Sequence, residues 1–383
     1  MLSTLRKVLP YPVKAFLRFL TYPEERSRFF RERVIKRHQD NNISTFDKRT
    51  ESLILFFVPG ANRKTGKETV SGGVISLVSI CEETSKLEDI HDSKTIMCTF
   101  PRDYLLLKHV NFENEVDVYR FDQIVCYFQN IRKITIHLPD NLADLFLSAL
   151  FKDEVKWLSK IKMLHINIVN ANILLMPSLE KIKDLTRFST KITMTTAHAK
   201  YCNLHFRNYY QMPLHMFSTW VSPEQYIFKD YPDKENVIVV SPDDNPERER
   251  ILSILSKCEG LKIVVLQGLT HKEFKKTISI AKWALTFGEG LDGYLVEPIF
   301  SGSIAFAVYN EDFFTKDFKD LPGIYSSYDE LALNIIDEIK RIDHRHIYQG
   351  YQRKQLELCS KYYGYSMYKE NIRQFYLEDY TYK

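Results

Sequence analysis

The chain has little of what usually marks a metal knuckle, a redox motif or a covalently stapled scaffold. Its six cysteines, Cys81, Cys98, Cys126, Cys202, Cys258 and Cys359, are widely scattered and none forms a C-x-x-C pair, which excludes the common zinc-knuckle and thioredoxin-type patterns. Free thiols of this kind fit a reducing compartment. Only 13 glycines and 14 prolines occur in 383 residues, too few for a collagenous or low-complexity chain. No apolar run reaches the roughly 18 residues that a membrane-spanning helix requires. Lys14 and Arg18 interrupt the apolar part of the first 20 residues and no small-residue cleavage site follows, so a signal peptide is not expected. No G-x-G-x-x-G run is present, and a nicotinamide cofactor is not indicated.

What is present is an ordinary globular composition, 44% hydrophobic and 27% charged, in a chain long enough for two domains with separate cores. The charge is unevenly placed. Residues 1–38 carry ten Lys or Arg against Glu24, Glu25 and Glu32, a local +7 that leaves about −3 for the rest of a chain whose net charge is +4. Leu17, Phe19, Leu20, Phe29, Phe30 and Val34 are interleaved with these cations. Bulky apolar side chains mixed with basic ones favour an anionic membrane surface. A helix packed on its own domain and a nucleic-acid arm are the alternatives, and the remaining sequence has neither a basic stripe nor a nucleic-acid-binding motif.

Residues 1–50 therefore read as a basic amphipathic segment with a polar linker over 39–51. Leu53–Val58 reads as a buried strand, followed by a polar loop, Ser71-Gly72-Gly73, and an apolar helix from Val74 that Ser71 is placed to cap. Strand, glycine loop and helix open a Rossmann-like unit in which Gly72 and Gly73 let backbone approach a ligand. Further strands are expected at 95–100, 123–128, 134–138, 164–169 and 191–196, with helices at 140–159 and 172–185. Such alternation argues for a mostly parallel sheet covered on both faces. After a polar hinge at 231–236 the pattern restarts. Strands are expected at 237–240, 261–266, 283–287 and 304–308, and helices at 247–257, 271–281 and 328–341. The tail from Ile342 is expected to be helical.

The most informative stretch is Phe287-Gly288-Glu289-Gly290-Leu291-Asp292-Gly293-Tyr294-Leu295-Val296-Glu297, ending at Ser301-Gly302. A buried strand leads into a Gly-rich turn and then a helix whose first amides face the same crevice. Carboxylates accept hydroxyl protons and free amides bind anions, so a ligand rich in hydroxyls and carrying phosphate suits this arrangement. The run resembles the E-x7-E signature of retaining GT-B glycosyltransferases through Glu289, Gly290, Leu291, Gly293, Glu297 and Gly302, with Asp292 and Tyr294 departing from the usual residues. Two successive Rossmann-like units agree with that family's layout.

The resemblance implies an α/β GT-B fold, two Rossmann-like domains facing each other across a cleft. An acceptor domain would span 51–230, a nucleotide-sugar donor domain 231–359, and a C-terminal helix in 360–383 would cross back to the first domain. It implies Glu297 as the ribose ligand and Glu289 beside the transferred sugar, with the backbone of Gly290, Leu291 and Asp292 meeting sugar and phosphates. His198, after the strand 191–196, matches a histidine often close to donor or acceptor. Asn170, at the end of the preceding strand, is a further candidate, with Gly72 and Gly73 near acceptor and phosphates. Relatives often carry Arg and Lys after the first strand of the second domain, where this chain has Ser241-Pro242-Asp243-Asp244-Asn245; Arg248 and Arg250 are the nearest substitutes.

No D-x-D run occurs, and no metal or cofactor is expected beyond the nucleotide diphosphate sugar used as donor. The leading expectation is a cytoplasmic enzyme on the inner face of the membrane, held there by residues 1–38, that transfers a sugar to a lipid-linked or polysaccharide acceptor. The alternatives are a catalytically silent glycan-binding or scaffold protein of this fold and a nucleotide-sugar epimerase.

Overall fold

The computed structural model describes residues 19–62, 65–69, 71–101, 104–112, 114, 116–218 and 226–383. The first half of the basic segment, residues 1–18, lies outside them. The first element with both ends among the described residues is helix α1 (Pro23–Ile43). Its basic residues are spread round the helix, since Arg26, Arg28, Arg31, Arg33, Lys36 and Arg37 do not share one face at 100° per residue. Its contacts are better ordered. Arg31, Ile35, Gln39 and Ile43 follow at intervals of four, and Gln39 and Ile43 are buried. The Gln39 amide donates to the Leu106 and Val118 carbonyls at 3.0 and 2.7 Å and accepts from Arg120 at 3.0 Å. The polar stretch expected as a linker thus begins as the docked end of a helix, because one amide side chain closes two backbone acceptors.

A first sheet is built from β1 (Ser52–Val58), β2 (Lys94–Thr99), β3 (Val118–Arg120), β4 (Lys133–Pro139), β5 (Met163–Asn170), β6 (Lys191–Thr196) and β7 (Leu214–Met216). All pairings are parallel and the order is β3-β2-β1-β4-β5-β6-β7. Alternate side chains of β1 feed two cores: Leu53, Leu55 and Phe57 on one face, Ile54, Phe56 and Val58 on the other. That is why the strand reads as a continuous apolar run. Helix α2 (Gly72–Ser85) follows β1, capped as expected by Ser71 Oγ accepting from the Val74 amide at 3.4 Å. The strand expected at 123–128 is instead helix α3 (Phe121–Tyr127). Phe121, Ile124, Val125 and Phe128 are all buried at the i, i+3, i+4, i+7 spacing of one helical face.

A second sheet, β8 (Glu235–Val240), β9 (Lys262–Val265), β10 (Ala281–Leu285), β11 (Ile304–Val308) and β12 (Ile324–Tyr325), is also parallel, in the order β12-β11-β10-β8-β9. Helices α4 (Arg248–Leu255), α5 (His271–Ile280), α6 (Gly293–Phe300) and α7 (Tyr328–Ile342) cover it, followed by α8 (Arg345–Tyr363) and α9 (Tyr365–Tyr376). Both sheets have doubly wound orders with one switch point, between β1 and β4 and between β8 and β10. Ligands of such sheets collect at the carboxyl ends of the strands flanking that point.

Helix α9 packs on the first sheet's helix α2, with the Tyr368 hydroxyl 3.0 Å from Ser79 Oγ. Its end is caged by four buried or partly buried histidines. His165 stacks on Phe375 with ring centres 5.6 Å apart, His91 lies 5.0 Å from Tyr376, and His137 meets the Tyr376 hydroxyl at 2.8 Å. His215 meets the Asn371 carbonyl at 2.7 Å. Beyond the helix, Tyr382 and Leu214 exchange two backbone hydrogen bonds of 2.9 Å, an antiparallel bridge along the outer edge of β7.

Candidate functional site

The two switch points face each other, and the site is what their loops bring together. Strand β10 is buried on both faces, and the chain leaves it at Thr286. The Phe287 amide donates to Ser241 Oγ at 2.9 Å, and the Asn245 side chain donates to the Phe287 carbonyl at 3.0 Å, so the loops after β8 and β10 are tied. Gly290 has φ +87°, and a Cβ there would lie 2.5 Å from the Phe314 ring. Only glycine fits this turn. Asp292 caps α6 by accepting from the Leu295 amide at 3.1 Å, and its other oxygen accepts from the Thr286 hydroxyl at 2.8 Å. Leu291 is buried beneath the turn.

Glu289 projects from this turn toward the first domain, where the Asn172 amide donates to it at 2.6 Å. Asn172 is itself placed by Asp140, the residue after β4, whose carboxylate accepts from the Ala171 and Asn172 amides at 2.9 Å each. A chain of contacts therefore runs from the first switch point to the second. Asp243 completes the second: a Cβ on Gly288 would lie 2.8 Å from an Asp243 oxygen and 2.9 Å from an Asp292 oxygen, so the two carboxylates flank the glycine. That Asp243 oxygen is buried with no hydrogen-bond partner. Burial, then the nearby charges of Asp292 and Asp243, push the Glu289 carboxyl up to about 7, against the Asn172 hydrogen bond. Burial and Asp243 likewise push Asp292 up to about 7, against the Thr286 hydroxyl. Like charges in a partly desolvated crevice favour the neutral acids.

Glu297 sits in the second turn of α6 and is buried. The Tyr226 hydroxyl donates to it at 2.5 Å and His271 Nε2 lies 3.3 Å away. Burial raises its carboxyl, with His271 and Tyr226 opposing. His198 lies after β6, buried, with Nδ1 lacking a hydrogen-bond partner and its ring 5.8 Å from Phe313 of the second domain. Burial lowers it to about 4, against a hydrogen bond with the Ala171 backbone, so it is neutral at physiological pH. Asn170 is buried with its side-chain Oδ1 unpartnered, and a Cβ on Gly73 would sit 3.9 Å from Ala171. The segment 170–172 thus gathers Gly73, His198 and Glu289, with Gly72 opening α2 beside them.

Arg248 and Arg250 are used otherwise. Arg248 donates to the Ser241 and Asp243 carbonyls and lies over the Phe287 ring, 5.6 Å from its centre, so it shapes the loop that carries Asp243. Arg250 pairs with Glu247 at 2.7 Å and Asp329 at 2.8 Å on the surface. Among the described residues no group of three or more His, Cys, Asp or Glu is arranged to hold a metal ion. Sequence reasoning missed Asp140, Asn172, Asp243, Tyr226 and His271. The available signal was that Asp140 directly follows a strand at the first switch point and Asp243 lies in the loop that leaves a strand at the second; for Asn172, Tyr226 and His271 there was none.

No family model matches the sequence, and no curated protein matches it. Solved structures do. An alpha-glucosyltransferase in complex with UDP-glucose and DNA is 11% identical, with 85% of this chain and 99% of that one covered at a TM-score of 0.55. Anabaena HepE in complex with UDP and glucose is 9% identical, with 85% and 99% covered at 0.57. Sucrose-phosphate synthase from Thermosynechococcus elongatus is 10% identical, with 86% and 98% covered at 0.54. The chain has the GT-B fold. At these identities the likeness is one of architecture, and in this GT-B chain the two-glutamate turn occupies the switch point of the second sheet.

Proposed function

We propose that this chain is a glycosyltransferase that moves a sugar from a nucleotide diphosphate sugar to a lipid-linked or polysaccharide acceptor. The observation that carries the reading is the Glu289 turn at the second switch point, joined through Asn172 to the carboxyl ends of the first sheet. The fold neighbours support it, since two of them are described in complex with UDP-glucose or with UDP and glucose. In this reading the nucleotide lies against α6 and the donor sugar beside Glu289. Ribose hydroxyls replace the Tyr226 hydroxyl on Glu297, a like-for-like exchange of donors on one carboxylate. Glu289, poised near neutrality, holds a sugar hydroxyl and answers charge that develops at the reacting carbon. Neutral His198, walled by Phe313, faces the acceptor side. Retention of configuration, independence from metal and residence on the inner membrane face through residues 1–38 complete the proposal.

One arrangement favours a second reading, a silent binding protein of the same fold. Carboxylates stand where a leaving diphosphate would need cations, and Arg248 and Arg250 are engaged elsewhere. A single experiment separates the two. Calorimetric titration with UDP and with UDP-sugars, in excess EDTA, should give saturable binding, and the bound sugar should be released or transferred on incubation. In Glu297→Ala the loss of charge-assisted hydrogen bonds of about 1.5–3 kcal/mol should weaken UDP roughly 10- to 150-fold. The same variant removes the acceptor of the buried Tyr226 hydroxyl, so its thermal midpoint should also fall. Unchanged UDP affinity removes Glu297 from the site; binding without any turnover favours the silent protein.

A further inference from the structure

A cavity of about 360 Å³ lies between α1 and the loops that follow β1 and β2, within the roughly 300–1,000 Å³ range of small-molecule sites. Ile35, Leu106, Leu107 and Val110 give it an apolar lining, with Arg31 and Lys108 among the residues at its wall. Glu32 also lines it, but the Arg28 guanidinium lies 3.6 Å from that carboxylate. The walls are held by backbone and side-chain bonds: Ala61 donates to the Leu105 carbonyl at 3.1 Å, and Gln39 to that of Leu106 at 3.0 Å.

Two continuities bear on what this cavity could accommodate. On one side, α1 carries Phe29, Phe30 and Val34 exposed beside its docked stripe, with Phe29 and Phe30 rings 5.7 Å apart. On the other, the loop leaves the cavity at Val110, which is 78% exposed, and its turn Val110–Phe112 contacts α5 of the second domain. Helix α5 opens with His271, the partner of Glu297. The cavity, apolar with cations at its wall, therefore lies between a helix that exposes phenylalanines and a turn that touches the second domain. A polysaccharide would find few hydrogen-bonding groups along it; a hydrocarbon chain would remove its apolar lining from water.

We infer that this cavity binds the hydrocarbon chain of an anionic lipid acceptor, with Arg31 and Lys108 meeting its phosphate. The inference rests on the glycosyltransferase reading for the word acceptor and stands on the cavity alone for binding. It selects the lipid-linked acceptor over the polysaccharide, and a bilayer as the source from which the chain enters along α1.

The test uses the full chain and three probes below their micellar concentrations: dodecyl phosphate, dodecyl maltoside and glycerol phosphate. Dodecyl phosphate should bind saturably by calorimetry, dodecyl maltoside at least threefold more weakly, and glycerol phosphate not measurably. Ile35→Trp, which fills the cavity, and Val110→Asp, which places a charge at its exposed mouth, should each weaken dodecyl phosphate at least tenfold. Because Val110 is exposed, its variant keeps the thermal midpoint and guards against misfolding of the first. Equal affinity in wild type and Val110→Asp, absence of binding in wild type, or glycerol phosphate binding as tightly as the alkyl phosphate each overturns the inference. UDP titrated into the same samples reports on the donor site separately. Alkyl phosphate binding without UDP binding upholds the cavity and rejects the transferase; UDP binding without alkyl phosphate binding does the reverse.

Discussion

Among the described residues, two titratable clusters are perturbed in opposite senses. Around the end of α9, His91, His137, His165 and His215 are all lowered, chiefly by burial, His165 to about 3. At the second switch point Glu289 and Asp292 are raised to about 7, again chiefly by burial. The first cluster is closed: His165 meets Thr193 at 2.8 Å, His137 meets Tyr376 and Asn167, and rings pack on every side. The second is open, with carboxylates facing one another across Gly288 and one Asp243 oxygen unpartnered. Neutral histidines that satisfy their hydrogen bonds hold a helix in place. Acids crowded without a counter-charge destabilise the fold at neutral pH, and such crowding suits a site that a ligand completes.

The comparison is tested most severely by Glu289→Gln. If the open cluster serves the reaction, transfer should fall by about 10²–10³, the scale of losing one preorganised electrostatic group. UDP affinity should hold within about twofold, so the loss lies in turnover rather than binding. A parallel fall in UDP affinity would make Glu289 a binding group and remove the distinction from Glu297.

The next effect is on stability against pH, and the signs differ between the clusters. The histidines have folded pKa values below the ordinary 6.5, so their contribution is complete above 6.5 and is lost as pH falls toward the folded values. The two carboxyls have folded values above the ordinary ones, so their contribution is complete in acid and is lost as pH rises through about 7. The thermal midpoint should therefore peak in mildly acid solution and fall on both sides. His165→Phe removes one acid-sensitive group while Thr193 keeps its 2.8 Å bond to Asn167, so the acid limb, followed by tryptophan fluorescence, should move to lower pH. An unmoved acid limb would mean that other groups govern it.

The smallest effect sharpens the other side. Asp243→Asn removes one charge from the crowded crevice, so Glu289 and Asp292 should titrate lower. UDP should bind a few-fold more tightly at pH 8, where repulsion of the diphosphate is greatest, and the thermal midpoint there should rise by about 2 °C. At pH 5.5 the gain in affinity should shrink, because the terminal phosphate of UDP, with a second pKa of about 6, then carries less charge for Asp243 to repel. No gain in affinity at either pH would place Asp243 outside the electrostatic reach of the nucleotide.

The contrast also marks what was legible in the sequence. Buried parallel strands such as Ser52–Val58 and Ile304–Val308 carry their signal in a local apolar run, and the Gly-rich turn carries its own in residue types that a tight loop demands. Strands β3, β7 and β12 are two or three residues long and exist only because a neighbour supplies their hydrogen bonds. At 123–128 β-favouring residues hid a helical spacing that packing then decided. Asn172 and Tyr226 reach their glutamates from 117 and 71 residues away, and no local pattern encodes so distant a partner.

The bridge between Tyr382 and Leu214 has a consequence for handling as much as for folding. Strand β7 ends the first sheet, and an open sheet edge offers N–H and C=O groups to any other strand that passes. Here the last residues of the described chain lie along that edge and take up its backbone groups at Leu214. Removing them, by proteolysis or by an extension that pulls them away, would leave β7 adhesive. Clipped molecules would join edge to edge at high concentration while each retained an intact cleft, so loss of solubility would precede loss of ligand binding.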